Sequence, residues 1–280
     1  HLTADFGYGG TGALGGTVWL EREVDGTLDD PTEAGIPGIG IDVTWSGPDG
    51  VLGSPDDVVI RAVTGAGGVW LVEGMPPGPF VATVDPTTLP AGTAVVWDRE
   101  NGATSPDGTL SGTLAPDERR LDVDTGVQGT SSIGDLVWVD QNRNGTRDAG
   151  DTVAPDVRIV VTWHGPDGVL GGGDDVTIEE RTGTDGTYLA DGLPAGRYTV
   201  TFDRTTFPRG TTAYADVDGG DPLVSTVDLA EGQDRTDVDL VLRPSALAVT
   251  GAAVGLLALL TLVLIGGGLL LRRRAERAIE

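Results

Sequence analysis

The sequence predicts an all-β protein: two tandem antiparallel β-sandwich repeats followed by one C-terminal transmembrane helix. Three observations carry this. Glycine (45) and proline (17) are abundant among the 280 residues, which favours short strands joined by turns over helices. A long stretch of the chain recurs 118 residues downstream of its first copy. Residues 252–271 form an uncharged apolar run of 20, long enough as a helix to cross the ~30 Å hydrocarbon core of a bilayer.

In order along the chain, residues 1–8 read as the closing strand of a truncated upstream repeat, because Ala4-Asp5 before Gly7 matches Val123-Asp124 before Gly126. With no initiator Met and no signal peptide, the chain is expected to be the C-terminal part of a longer exported protein. Residues 9–16 read as a flexible Gly-rich linker. Gly7, Gly9 and Gly12 fit a dinucleotide-binding string, but a strand at Val18-Trp19 follows where that site needs a helix N-terminus. The repeats proper are 17–130 and 131–243. Trp45-Ser-Gly-Pro-Asp-Gly-Val-Leu-Gly53 returns as Trp163-His-Gly-Pro-Asp-Gly-Val-Leu-Gly171, and Asp85-Pro-Thr-Thr as Asp203-Arg-Thr-Thr. Apolar residues alternate with period two at Ile39, Ile41, Val43 and Trp45, and at Val157, Ile159, Val161 and Trp163, as half-buried strands require. Tyr198, Val200 and Phe202, matched by Phe80, Ala82 and Val84, form a second such run.

Residues 244–251 form an accessible linker ending in Leu247, Ala248, Val249, Thr250 and Gly251; residues 272–280, with Arg272, Arg273, Arg274 and Arg277, form a tail. Positive charge beside a span stays cytoplasmic, so the repeats are expected outside the cell.

Composition removes several function classes. The chain has no cysteine and no lysine, which excludes disulfides, thiolate zinc sites, cysteine nucleophiles, phosphate-binding loops, Schiff bases and Lys–Asn crosslinks. A net charge of −25 argues against nucleic acid as a partner. Only His1 and His164 supply imidazole. His164 has Ser46 as its counterpart, so it reads as a surface residue and not a catalyst. No motif sets two carboxylates around a sugar cleft, and the chain is read as non-enzymatic.

The carboxylates point instead to a metal. Asp140, Asn142, Asn144, Thr146 (through its carbonyl), Asp148 and Asp151 take positions 1, 3, 5, 7, 9 and 12 of a twelve-residue calcium loop, with Gly145 at the sharp turn. Calcium suits this set of hard oxygens; a solvated Asx-rich turn is the alternative. The first repeat offers Glu21, Glu23, Asp25, Thr27, Asp29 and Glu33, with one residue inserted before the last acid. A further acidic loop carries Asp167, Asp174 and Asp175, repeated as Asp49, Asp56 and Asp57. Its carboxylates repel unless water or a cation screens them. Thr184-Asp185-Gly186-Thr187 reads as a plain turn.

Two resemblances add to these readings. Residues 133–203 are similar to the B domain of serine-aspartate-repeat surface proteins of Gram-positive bacteria, and the likeness runs more weakly along residues 14–243. It implies an immunoglobulin-like or prealbumin-like calcium-binding stalk module. The order of Leu247-Ala-Val-Thr-Gly251, apolar span and Arg tail resembles a cell-wall sorting signal of the LAxTG type, read by class E sortases of actinobacteria. That implies cleavage between Thr250 and Gly251 and transfer of the Thr250 carboxyl to peptidoglycan; a plain single-pass anchor is the alternative. The expected function is a calcium-stabilised extracellular stalk whose partners are Ca2+, the sortase and the wall. Its rivals are an adhesin that grips an unknown extracellular ligand through exposed aromatics such as Trp70 or Trp97, and the tether of an upstream enzyme.

Overall fold

The computed structural model describes residues 9–28, 32–215 and 220–245. The expected membrane helix, the Leu247–Gly251 pentapeptide, the Arg tail and the closing strand at 1–8 lie outside the described residues. Within them the chain is all-β, and its only helical turns are three 3-10 turns of three residues each.

Each repeat is built from two sheets. In the first, β1 (Gly12–Leu20) pairs antiparallel with β2 (Ala34–Gly35) and β5 (Val69–Met75), and parallel with β9 (Arg119–Arg120) and β10 (Thr125–Gly129); β7 (Thr93–Asp98) flanks β10. The facing sheet has the order β4 (Val58–Val63), β3 (Gly40–Trp45), β6 (Gly78–Val84), β8 (Thr109–Leu114), all antiparallel. The second repeat repeats this plan. β11 (Ser131–Val139) joins β12 (Thr152–Val153), β15 (Thr187–Leu193), β19 (Asp234–Arg235) and β20 (Leu240–Pro244), with β17 (Thr211–Ala215) beyond β20. The facing sheet is β14 (Val176–Arg181), β13 (Arg158–Trp163), β16 (Gly196–Phe202), β18 (Val224–Leu229).

The alternation read from sequence sets the core. Ile159, Val161, Val200 and Phe202 are buried, as are Ile41, Val43, Phe80 and Ala82 in the first repeat. Tyr188 from one sheet meets Phe202 from the other edge-on at 5.9 Å between centroids. Burying each of these Val, Ile and Phe side chains stabilises by ~1.5–3 kcal/mol.

The recurring sequence motifs also have a local cause. Asp85 and Asp203 cap the turn after β6 and β16, each accepting from the backbone N–H two residues on (Thr87 and Thr205, both 2.9 Å). The next threonine ties that turn to the neighbouring strand: the Thr88 hydroxyl accepts from Gly40 N–H at 2.9 Å and that of Thr206 from Arg158 N–H at 3.0 Å. Buried Thr64 and Thr182 close the sheet corners, donating to Ile36 and Ala154 carbonyls at 2.7 Å.

Three expectations are corrected. Residues 12–16 are no linker: they form the first half of β1, mostly buried, because Gly15 and Gly16 let the Trp70 and Val123 carbonyls approach where a Cβ would collide. Trp70 is a core residue rather than an exposed aromatic. Trp97 is half-buried against Trp19, centroids 5.5 Å apart. His164 is buried, not on the surface, and its Nε2 lies 2.8 Å from the Thr199 hydroxyl.

Candidate metal loops and the joint between repeats

The loop after β11 curls around its first carboxylate. Asp140 is fully buried; its Oδ1 accepts the N–H of Arg143 (2.6 Å) and Asn144 (3.2 Å), and Oδ2 accepts that of Gly145 (2.9 Å). Such a ring of amides requires a left-handed residue, supplied by Arg143 at φ 63° and Gly145 at φ 77°. Asp151 closes the loop from its other end, accepting from Gln141 N–H and Asp148 N–H at 2.9 Å each. Asp148 is exposed and gathers the middle: its Oδ2 accepts from the side-chain amides of Asn142 (2.7 Å) and Asn144 (2.8 Å). These bonds and the Gly150 N–H hold the Asp148 carboxyl below the usual carboxylate range, with the backbone bond the larger cause. Asn144 Oδ1 accepts from Thr146 N–H at 2.7 Å.

The donor set fits a hard cation. Asn142, Asn144 and Asp148 already converge through the amide NH2 groups, while the amide oxygens accept the backbone N–H groups of Asn144 and Thr146 at 2.9 and 2.7 Å, so a cation would have to displace these bonds. Against this, Arg243 Nε lies 3.7 Å from Asp140 Oδ2 and competes for its charge. Among the described residues, no three His, Cys, Asp or Glu side chains cluster as a metal centre.

The first repeat builds the same loop with longer acids. Buried Glu21 accepts from Val24 (2.8 Å), Asp25 (3.4 Å) and Gly26 (3.0 Å) N–H groups, and Val24 and Gly26 repeat the positive φ values, 57° and 79°. Glu33 Oε1 accepts from Arg22 N–H at 2.5 Å, as Asp151 does from Gln141. Asp25 takes the N–H of Thr27 at 2.8 Å. Glu21 and Glu33 meet: burial, then the hydrogen bond and charge of Glu33, push the Glu21 carboxyl up. Glu23 is exposed, and Asp29 lies outside the described residues.

The 167–175 loop and its copy are turns tied by their own carboxylates, each leaving one buried oxygen, Asp175 Oδ1 or Asp57 Oδ1, without a hydrogen-bond partner among the described residues. Asp167 caps Val169 N–H (2.7 Å), Asp174 accepts from Asp167 N–H (3.2 Å) and Asp175 from Gly171 N–H (2.7 Å). Asp49, Asp56 and Asp57 do the same for Val51 (2.8 Å), Asp49 (3.3 Å) and Gly53 (2.7 Å). Backbone amides therefore meet one oxygen of each of these carboxylates. The Asp185 turn is as expected, with Asp185 Oδ1 accepting from Thr187 N–H at 3.1 Å.

The repeat boundary read at 130/131 falls at the joint between the sandwiches, but the contacts across it were not foreseen. Only Thr130 separates β10 from β11, so the far end of the first sandwich abuts the near end of the second. Leu20 and Ile36 line one small apolar cavity with Trp163, Val176 and Ile178. The joint also holds Arg22, whose side chain is only 8% exposed. It donates to Glu180 Oε1 at 2.5 Å, to Asp191 Oδ1 at 2.8 Å, and to the Thr32 and Asp191 carbonyls. Burial lowers the Arg22 pKa, but the Glu180 charge and the bonds from Asp191 and Glu180 outweigh it and hold the guanidinium above its usual value. Burial pushes the Glu180 carboxyl up despite Arg22. Ala195 N–H adds a bond to the Ala91 carbonyl at 2.8 Å. One signal could have revealed this site: Arg22 is matched by Gln141 and Glu180 by Ala62, so these charges are not shared by the two copies.

Residues 131–245 match the model of the SdrD B-like domain family. Serine-aspartate repeat-containing protein D of Staphylococcus aureus (strain MW2) is 26% identical over 238 residues, which are 81% of this chain and 16% of that protein. Serine-aspartate repeat-containing protein C of Staphylococcus aureus (strain N315) is 29% identical over 227 residues, 77% of this chain and 21% of the relative. Colossin-A of Dictyostelium discoideum is 27% identical over 160 residues, 54% of this chain and 1% of its own. The chain thus spans about a fifth or less of these relatives. Among solved structures, GBS52, the minor pilin of Streptococcus agalactiae, aligns over 83% of this chain and 95% of its own at 12% identity, with a TM-score of 0.31.

Proposed function

We propose that this chain is a non-enzymatic spacer of an extracellular surface protein, its repeats stacked end to end and stiffened by calcium. The observation that carries the spacer reading is the joint: a single connecting residue, an apolar seal and a buried Arg22 resist bending between modules. The SdrD B-like match of the second repeat and the serine-aspartate-repeat relatives support a surface location.

Calcium is the finer part of the proposal. Asp140, Asn142, Asn144, Asp148, Asp151 and the Thr146 carbonyl would hold it, and it would replace the loop's internal hydrogen bonds by stronger contacts to a divalent charge. A hundredfold excess over Kd adds ~2.7 kcal/mol, large beside a domain stability of ~5–15 kcal/mol. Melting the protein in calcium and in EDTA tests this: the EDTA curve is expected several degrees lower, and superimposable curves remove calcium while leaving the spacer.

Sorting to the wall is the remaining part, supported by the order of pentapeptide, apolar run and Arg tail in the sequence. Thr250→Ala is expected to move the protein from the wall fraction to the membrane fraction. An unchanged distribution leaves a simple membrane anchor.

A further inference from the structure

The near ends of the two repeats carry the same three residues in different surroundings. Trp163, Val176 and Ile178 of the second repeat are buried beneath Leu20 and Ile36. Their counterparts Trp45, Val58 and Ile60 pair in the same register, yet Trp45 and Ile60 are half-exposed and Val58 is 44% exposed against 4% for Val176. An apolar strand end that is identical in both copies and sealed in one is built to be sealed in both.

The connection into each near end matches as well. Gly126 stands five residues before Ser131, where β11 begins, and Gly7 five residues before Gly12, where β1 begins. Gly129 sits so close to the end of β15 that a Cβ would lie 2.0 Å from the Leu193 carbonyl oxygen; Gly10 sits likewise on the end of β5, 1.9 Å from that of Met75. Glu73 stands where Asp191 accepts from Arg22. We infer that the exposed face at Trp45, Val58 and Ile60 is the docking surface for the far end of a further module of this same kind, joined ahead of Gly12. The joint seen once in this chain is then the unit of a longer stack. This rests on the spacer reading and extends it to a named surface.

The chain has no cysteine, so single introduced thiols report burial. The test compares the natural chain with one in which a second copy of residues 12–130 replaces residues 1–11, so that Thr130 of the added copy runs directly into Gly12 as it runs into Ser131 at the existing joint. Val58→Cys, placed in the first natural repeat of each, is expected to react with a maleimide at least about tenfold slower in the extended chain, since a sealed site reacts only on local opening. Val59→Cys, whose counterpart Thr177 stays exposed beside the sealed joint, is expected to react at one rate in both. Val176→Cys in the natural chain tests the existing joint. Slow labelling there with equal Val58→Cys rates in both chains overturns this inference alone; fast labelling at Val176→Cys overturns the joint, and with it the spacer reading too.

Discussion

The loops after β1 and β11 have one backbone path and two uses of charge. In both, a buried acid (Glu21 or Asp140) gathers three amides around a left-handed residue, and a second acid (Glu33 or Asp151) ties the far side. They part at the next position. Arg22 turns away from its loop to bind Glu180 and Asp191 of the other repeat, whereas Gln141 reaches only Thr152 within its own. What the two loops share therefore serves their own curl, and the one position at which they part, Arg22, serves the contact with the next repeat.

Removing Arg22 is the strongest way to break this contrast. Arg22→Ala leaves the partly buried Glu180 without its counter-charge, for which ~3 kcal/mol is expected, mainly from the Glu180 contact because Asp191 is 60% exposed. Calorimetry is expected to show the two repeats melting as separate transitions in the variant. Gln141→Ala, at the same place in the second copy, is expected to stay within ~0.5 kcal/mol of the parent. Equal effects of the two substitutions would mean that the loops do not differ in role.

Calcium gives the next largest separation. The second loop gathers the Asn142 and Asn144 side chains around the exposed Asp148. The first holds Glu21, whose carboxyl burial and the neighbouring Glu33 push up, and a proton held there opposes the binding of a cation. Asp148→Ala is therefore expected to remove most of a ~2.7 kcal/mol calcium stabilisation. In EDTA its melting point is expected near that of the parent, because Asp148 is exposed. A full calcium-dependent shift in Asp148→Ala would move the site away from the 140–151 loop.

Much of this was legible in the chain. Period-two alternation named the core strands, and the self-match named the two copies, because a residue facing a core or capping a turn is constrained by its own repeat. The 140–151 loop was legible because its spacing dictates its curl. Trp70 was misplaced for a physical reason: its neighbours Val69 and Leu71 are exposed and Trp70 alone faces inward, so only strand parity, not hydrophobicity, reveals its side. The Gly-rich 12–16 stretch hid a strand because the glycines serve close carbonyl contacts from β5 and the 123 region. Arg22 and Glu180 stand 158 residues apart, and no local pattern links them.

The smallest expected effect concerns a pair that only the second repeat has. Burial first, then the hydrogen bond and charge of Asp239 and the charge of Asp237, raise the Asp135 carboxyl to about 6. Asp239 has Asp124 as its counterpart, but Asp135 is matched by Gly16, so the first repeat has no such acid pair. A folded pKa above the unfolded value of ~3.9 means that the contribution is complete below about pH 4 and is lost as pH rises through about 6. At pH 7 two ionised carboxylates repel. Asp135→Asn keeps a donor toward Asp239 without the second charge. It is expected to stabilise the protein at pH 7 by ~0.5–1 kcal/mol, discounted for solvent screening, and to match the parent near pH 4. Thermal melts of both proteins from pH 4 to 7 check this. A gain that persists at pH 4 would trace to packing rather than charge, and would strip the second repeat of the one pH response that sets it apart from the first.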